Sequence, residues 1–346
     1  MKNKSFHILA VLLALFIAAS LLLTGCSGGD KSKDTAKSDV IKIRLAHGMA
    51  PGTNVDLGYE KFKELVEQKS NGRIKIEVFG NTILGNDRVV MESAQKGTLE
   101  IASASSSNMA NFSPKWMVWD LPYITTQANQ QKLYKALDEG ELGNYFRKNA
   151  EELGFKLLMF SDYGYRNFAT NKKPINKPSD LAGLKLRTTD SPVEVAVAKA
   201  LGANPTPMGW SEVYMGLQQG TIDGEGNTFE MLYNAKHHEA LKYAATTRHN
   251  YSMHLLVMNL NYFNKLPKDV QDILLASAKE ALDYERKISF EQEEKAKQKF
   301  KDHGIQVTEI SPEQLKEWQN ATKPVYDQFK DKIGQDLIDM VVNAQK

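Results

Sequence analysis

The chain has 346 residues, with 44 lysines and arginines against 42 aspartates and glutamates and a formal net charge of +2 at pH 7. Nothing in so balanced a composition calls for nucleic acid, and a single cysteine, Cys26, excludes an internal disulfide and any thiol nucleophile elsewhere. The length leaves room for two domains with cores of their own.

Lys2 and Lys4 precede an uncharged apolar run from Ile8 to Leu23, which ends in Leu23-Thr24-Gly25-Cys26. A positive start, an apolar core and small residues before a cut describe a secretory signal peptide over residues 1–25, and the run is short for a membrane span. The Leu-Thr-Gly-Cys ending resembles the bacterial lipobox, which implies that Cys26 is lipidated and becomes the mature N-terminus. Residues 27–39 (SGGDKSKDTAKSD) have no large apolar side chain, so 26–39 is expected to be a lipidated cysteine followed by a flexible tether.

Alternation then predicts a strand over 40–46 and another over 73–79, with helical spacing between Asn54 and Lys69 that Asn71-Gly72 stops. A helix is expected over 87–96, ended by Gly97, and a short strand over 99–103. Strand and helix alternate, which is an α/β layout. A second unit starts near Tyr165, with a strand around Phe168-Ala169-Thr170, a strand Lys185-Leu186-Arg187 and a helix after Pro192. A Pro-Thr-Pro turn leading to Trp210, a helix around 213–219 and a polar loop, Asp223–Asn227, follow. A strand at 254–259 returns to the first unit. From Lys268 to about His303 the pattern is helical with neither proline nor glycine, a length of about 54 Å, too long to be buried in one small domain.

Arg187 at a strand end, facing an aromatic and an asparagine, suits the capture of a small carboxylate, because guanidinium offers a planar fork of donors. The block 183–227 around it resembles the signature region of solute-binding proteins of tripartite ATP-independent periplasmic (TRAP) transporters. Gly72-Arg73-Ile74-Lys75, LGND at 84–87, Gly97-Thr98-Leu99-Glu100, Asp120-Leu121-Pro122-Tyr123 and LPKDV at 266–270 extend the likeness over essentially the whole chain from about residue 41.

The resemblance implies a two-lobed, periplasmic-binding-protein-like fold with a hinge and a long helix spanning both lobes. Lobe I is expected from 40–164 plus about 254–290, and lobe II from 165–253 plus about 291–346. It implies a monomeric receptor, lipid-anchored on the extracytoplasmic face of the cell membrane. Such a receptor delivers a C4-dicarboxylate or a sugar acid such as a uronate to a small and a large integral membrane subunit.

Arg187 and Arg166 are then expected on the ligand carboxylate, with Asn227 as hydrogen-bond partner and Trp210 as aromatic cover. The loop departs from the usual pattern, with Gly226 and Thr228 where the family often has Glu and Pro. Asp190 and Ser191 suit either ligand hydroxyls or the cap of the helix at Pro192. His47, Ser105, Asn108, His249 and Tyr251 are further cleft candidates, and the Ser105–Asn108 run reads equally well as a turn. His237-His238-Glu239 reads as a solvated helix end, and the Glu/Lys-rich stretch 291–301 as a solvated face. The motifs of a Gly-x-Ser-x-Gly elbow, a P-loop, a dinucleotide fingerprint and His-Glu-x-x-His are absent, so no enzymatic activity, metal or cofactor is expected. Two other readings share these residues: a ligand-sensing lipoprotein serving a sensor kinase or another importer class, and a surface enzyme on the same scaffold.

Overall fold

A computed structural model describes residues 40–346; the expected signal peptide, Cys26 and tether lie outside the described residues. The chain opens as β1 (Ile41–Ala46), α1 (Asn54–Lys69), β2 (Ile74–Phe79), α2 (Asp87–Lys96) and β3 (Ile101–Ser105). The short α3 (Ser106–Met109) and the helices α4 (Gln130–Asp138) and α5 (Glu141–Glu152) lead into the strand β4 (Phe155–Thr170). Then come β5 (Lys185–Thr188), α6 (Pro192–Ala200), β6 (Asn204–Pro207), α7 (Trp210–Gln218), β7 (Gly224–Asn227) and α8 (Phe229–Asn234). The strand β8 (Tyr243–Asn259), α9 (Leu260–Lys265), α10 (Lys268–Asp302), β9 (Gln306–Thr308), α11 (Pro312–Thr322), α12 (Pro324–Ile333) and α13 (Gln335–Asn343) complete it.

The strands make one sheet in the order β2-β1-β3-β8-β4-β7-β5-β6, with β9 beside β8. Its first half carries parallel pairs β1–β2 and β1–β3, and its second half parallel pairs β5–β6 and β5–β7. The two halves are sewn together by β4 and β8, which run antiparallel along their whole length. The sequence reading found only one end of each, around Phe168-Ala169-Thr170 in β4 and 254–259 in β8. The strands cross unbroken because register shifts at 157/159, 162/164 and 166/168 let β4 bend without ending, helped by Gly164 at φ +104°.

Two further expectations change. Within the Asp223–Asn227 stretch, Gly224–Asn227 is strand β7, hydrogen-bonded between β4 and β5 and buried throughout. Gly224 permits this approach, since a Cβ there would stand 2.3 Å from the Ala169 carbonyl oxygen. The Pro-Thr-Pro segment belongs to β6, and proline's missing donor is tolerated because β6 is an edge strand.

The long helix α10 braces both halves. Its Val270, Leu274, Ala278 and Ala281 share a core with Tyr59, Phe62 and Val66 of α1, while Ala296 and Phe300 share another with Val213, Phe229 and Leu232. The C-terminal helices pack Trp318, Val325, Ile333 and Val341 into the same core as Trp116, Trp119 and Phe146. Among the described residues no helix is long and apolar enough to cross a membrane.

Candidate functional site

Strand ends from both halves of the sheet converge on a cavity of about 230 Å³. Arg187 enters it from the end of β5, Asn227 from the end of β7, and Tyr163 and Arg166 from the irregular stretch of β4. The start of α7 adds Trp210, and the start of α2 with the turn after β3 adds Asp87, Ser105 and Asn108. Asp190 stands at the rim, exposed.

Arg187 is buried, at 6 % exposure, and its Nε and Nη2 both donate to the Met208 carbonyl at 3.1 and 3.0 Å. The Trp210 ring covers it, with the guanidinium carbon 5.7 Å from the ring centre. This grip fixes the plane of the guanidinium, and its Nη1 makes no hydrogen bond among the described residues. Burial and then the neighbouring Arg166 charge pull Arg187 below the ordinary arginine value. Arginine nonetheless stays protonated in proteins, so the site holds a desolvated positive charge.

Arg166 lines the same cavity on different terms. Its Nε and Nη2 donate to the Gly226 carbonyl at 2.9 and 2.7 Å, and its Nη1 pairs with the Glu194 carboxylate. Burial opposes its charge, but Glu194 and the other nearby acids outweigh burial and hold Arg166 above the usual arginine value. Glu194 also accepts from the Thr189 backbone N–H at 2.9 Å.

Asn227 accepts from the Tyr163 hydroxyl at 2.7 Å and from the Thr228 N–H at 3.0 Å. The unusual neighbours of Asn227 now have explicit work. The Gly226 carbonyl anchors Arg166, and a Cβ on Gly226 would stand 3.0 Å from the His249 ring. Thr228 caps α8, accepting from the Met231 N–H at 3.2 Å.

Asp87 ties the opposite wall together, its Oδ2 accepting from the Ser105 N–H and from Asn108 Nδ2, each at 2.9 Å. Ser105 caps the turn before Asn108, and both residues line the cavity. Ser191 makes no side-chain cap; its Oγ donates to Asp120 at 2.6 Å.

Two candidates stand apart. His47 is fully buried outside the cavity wall, its Nδ1 accepting from the Met49 N–H at 3.2 Å and its ring edge-on to Tyr59 at 5.3 Å. Burial drives its pKa down to about 3, so it is neutral. Tyr251 lies off the cavity as well, its ring 5.2 Å from that of Tyr165. Backbone alternation through a bulged strand sends neighbouring side chains to faces that no local pattern reveals.

His249 stacks on Phe168 with ring centres 3.8 Å apart and borders a cavity of about 30 Å³ behind the two arginines. His237 corrects the solvated-end reading. It is buried, its Nδ1 lies 2.5 Å from Glu225 Oε1, and its ring packs 4.6 Å from Trp210. Glu293, in the stretch read as solvated, is likewise turned inward to accept from the Phe229 and Glu230 N–H groups at 3.1 and 2.9 Å.

Sequence reasoning passed over Tyr163, Asp87, Glu194 and Ser252. Asp87 reads only as a helix start and Glu194 is not singled out within the helix after Pro192; packing turns both inward. The arrangement that results is a chemically simple one: a single buried guanidinium with a free edge, an aromatic cover, and hydrogen-bonding groups around it.

The family model for bacterial extracellular solute-binding protein, family 7 (DctP), matches residues 45–332. The chain belongs to this family. Among its family-7 relatives is the C4-dicarboxylate-binding periplasmic protein DctP of Rhodobacter capsulatus, 34% identical over 314 residues, covering 89% of this chain and 92% of the relative. The 2,3-diketo-L-gulonate-binding periplasmic protein YiaO of Escherichia coli is 31% identical over 291 residues, covering 84% of this chain and 87% of YiaO.

Family-7 crystal structures share the two-lobed fold. The sugar acid binding protein DctPAm of Advenella mimigardefordensis in complex with galactonate superposes with a TM-score of 0.85 at 28% identity, covering 89% of this chain and 98% of that one. A TRAP periplasmic solute-binding protein of Sulfurospirillum deleyianum with bound succinate gives 0.84 at 34% identity, covering 89% of this chain and 100% of that one.

Proposed function

We propose that this chain is the extracytoplasmic solute receptor of a TRAP transporter and holds a small organic acid anion by its carboxylate at Arg187. The observation that carries the reading is the state of that side chain. Arg187 is buried and held in plane by the Met208 carbonyl, yet it presents an unused edge to the cavity under Trp210. A desolvated guanidinium with free donors is a receptor for a planar anion. The ligands bound in related structures, succinate and galactonate among them, are small carboxylates. Arg166 supports the site by its charge, with Asn227, Trp210, Asp190, Ser105 and Asn108 forming the rest of the wall.

The protein acts by binding, with the lobes, 40–164 plus about 254–290 and 165–253 plus about 291–346, closing over the ligand. Closure then presents the loaded receptor to a small and a large membrane subunit. Titrating the purified protein with succinate, L-malate, D-galacturonate and D-galactonate by calorimetry tests the reading: at least one should bind the wild type, and failure of all four there, or wild-type affinity in Arg187→Ala, would sink it.

The receptor works as a monomer tethered through a lipidated Cys26, whose diacylglyceryl group carries two chains where a single chain would hold only marginally. Cys26→Ala should move the protein from the membrane pellet to the soluble fraction without changing its melting temperature. A variant that still pelleted would refute the anchor.

A further inference from the structure

The aromatic cover over Arg187 is held by residues that do not line the cavity. Trp210 opens α7 shortly after the edge strand β6, and its indole N–H makes no hydrogen bond among the described residues. Its ring lies over the Arg187 guanidinium, and the imidazole of His237 packs 4.6 Å from it at an interplanar angle of 31°. Tyr214, one turn along α7, meets the same imidazole at 6.1 Å. His237 is 2% exposed and follows a turn in which Lys236 takes φ +63°. Against it stands Glu225, fully buried and opposite Arg187 in the β5–β7 register. Glu225 Oε1 lies 2.5 Å from His237 Nδ1, and its Oε2 accepts from Asn227 Nδ2 at 3.5 Å. Burial opposes charge on Glu225, but His237 and then Arg187 outweigh burial and hold its carboxyl below the ordinary glutamate value. An ionised carboxylate only accepts, so the proton of this hydrogen bond sits on His237 Nδ1 and fixes how the imidazole is turned.

A buried carboxylate is costly unless it is paired, so Glu225 ties His237 to one orientation. An apolar ring in the same place would fill the space without being held to one angle. A cover fixed before the ligand arrives needs no ordering when it binds, and affinity gains by that difference. Resting on the carboxylate reading above, we infer that His237 is a positioning residue of the ligand site. Glu225 fixes the imidazole, the imidazole fixes Trp210, and Trp210 closes over the carboxylate held by Arg187. His237 stands outside the cavity lining, and its effect on affinity passes through Trp210.

Fluorine NMR on the full-length protein labelled with 5-fluorotryptophan tests this, with Trp210→Phe to assign the Trp210 resonance. Trp116, Trp119 and Trp318 are fully buried and serve as internal references. His237→Asn keeps a donor where Nδ1 stood and removes the ring. It should shift and broaden the Trp210 resonance of the ligand-free protein and leave the references in place. By calorimetry it should weaken whichever of succinate, L-malate, D-galacturonate and D-galactonate binds tightest by about 5- to 20-fold. In a Trp210→Ala background the same change should cost less than about twofold, because the path is already cut. His237→Gln, with a longer donor arm, repeats both readings if the asparagine variant does not fold. An unmoved Trp210 resonance, or equal losses with and without Trp210, would overturn the inference and leave the carboxylate receptor standing. Loss of the fold in both variants would show that His237 holds the structure and not the cover, and would overturn it as well. Binding of no probe to the wild type would remove the receptor reading and this role with it, whatever the Trp210 resonance does.

Discussion

Arg187 and Arg166 flank β7 and reach one cavity, but their partners give them different work. Arg187 is held by a neutral carbonyl and keeps donors to offer, so Arg187→Ala should weaken ligand affinity by about 100-fold or more, equivalent to about 3 kcal/mol. Arg187→Lys should recover only part of this, because an ammonium cannot hold Met208 and grip a carboxylate in one plane. Removing Arg187 also strips the Met208 carbonyl of both its donors, at about 1–3 kcal/mol of stability. Arg166→Ala does something worse to the fold, since it leaves the Glu194 carboxylate buried without its cation, which costs about 3–5 kcal/mol. Urea melts should therefore rank Arg166→Ala below Arg187→Ala, and the reverse order would show that Glu194 finds another partner.

The helix α10 carries Glu285, Ser289 and Glu293 at four-residue spacing, on one face turned toward the crossing strands. Glu285 accepts from Asn54 Nδ2 at 2.9 Å and from the Asp162 N–H at 3.1 Å, and Ser289 Oγ donates to Asp162 at 2.6 Å. Beside them Glu230 of α8 accepts from the Asn54 N–H at 2.6 Å, joining the N-terminus of α1 to the other half of the sheet. Burial, followed by the Glu293 and Asp162 charges, pushes Glu230 up to about 8, and burial pushes Glu293 up to about 7.

A carboxyl raised in this way binds its proton more tightly in the native state than in the unfolded chain, where it ionises near 4.5. The native state is therefore penalised progressively as pH climbs from about 4.5 to about 8. His47, His249 and His254 have the opposite sign, their lowered values penalising the native state as pH falls below 6.5. The useful reading is thus the difference between variant and wild type at each pH. Glu230→Gln keeps the acceptor and cannot ionise, so its melting temperature should exceed that of wild type at pH 8 and match it near pH 5. A constant difference across that range would show that Glu230 does not titrate there.

At the scale of the molecule, two halves of one sheet are linked by β4 and β8 and touch again across the cavity mouth. There the Ser211 N–H donates to Asn86 Oδ1 at 3.1 Å. Asp120 and Ser191 meet behind the site, and Asn54 and Glu230 beside it. A ligand touching both walls favours the arrangement in which these contacts are made, and only that difference in affinity drives closure. Small-angle scattering should show a smaller radius of gyration with ligand than without. Asn86→Ala removes the mouth contact and should weaken affinity by about 2- to 10-fold, chiefly through faster release. An unchanged scattering curve at saturating ligand would mean that closure is not the signal.

What the sequence determined by itself was local. Alternation marks β1 and β2, the unbroken helical run marks α10 to within a residue of its end, and Arg187 reads as a strand-end donor because a Lys-Leu-Arg strand stops there. These features depend on backbone dihedrals and side-chain period over a few residues, which a short stretch of chain encodes. Which side chains meet was decided by the tertiary structure. Asn54 and Glu230 are 176 residues apart, and Tyr163 reaches Asn227 only because β4 bulges beside it. His237 looks like a surface residue until Glu225, alone in a strand that reads as a loop, is buried beneath it. Bulges shift side chains between faces, and long-range pairing turns acids inward where a partner stands. Neither leaves a periodic trace in the chain, so the elements could be read from the sequence and the partners of the site could not.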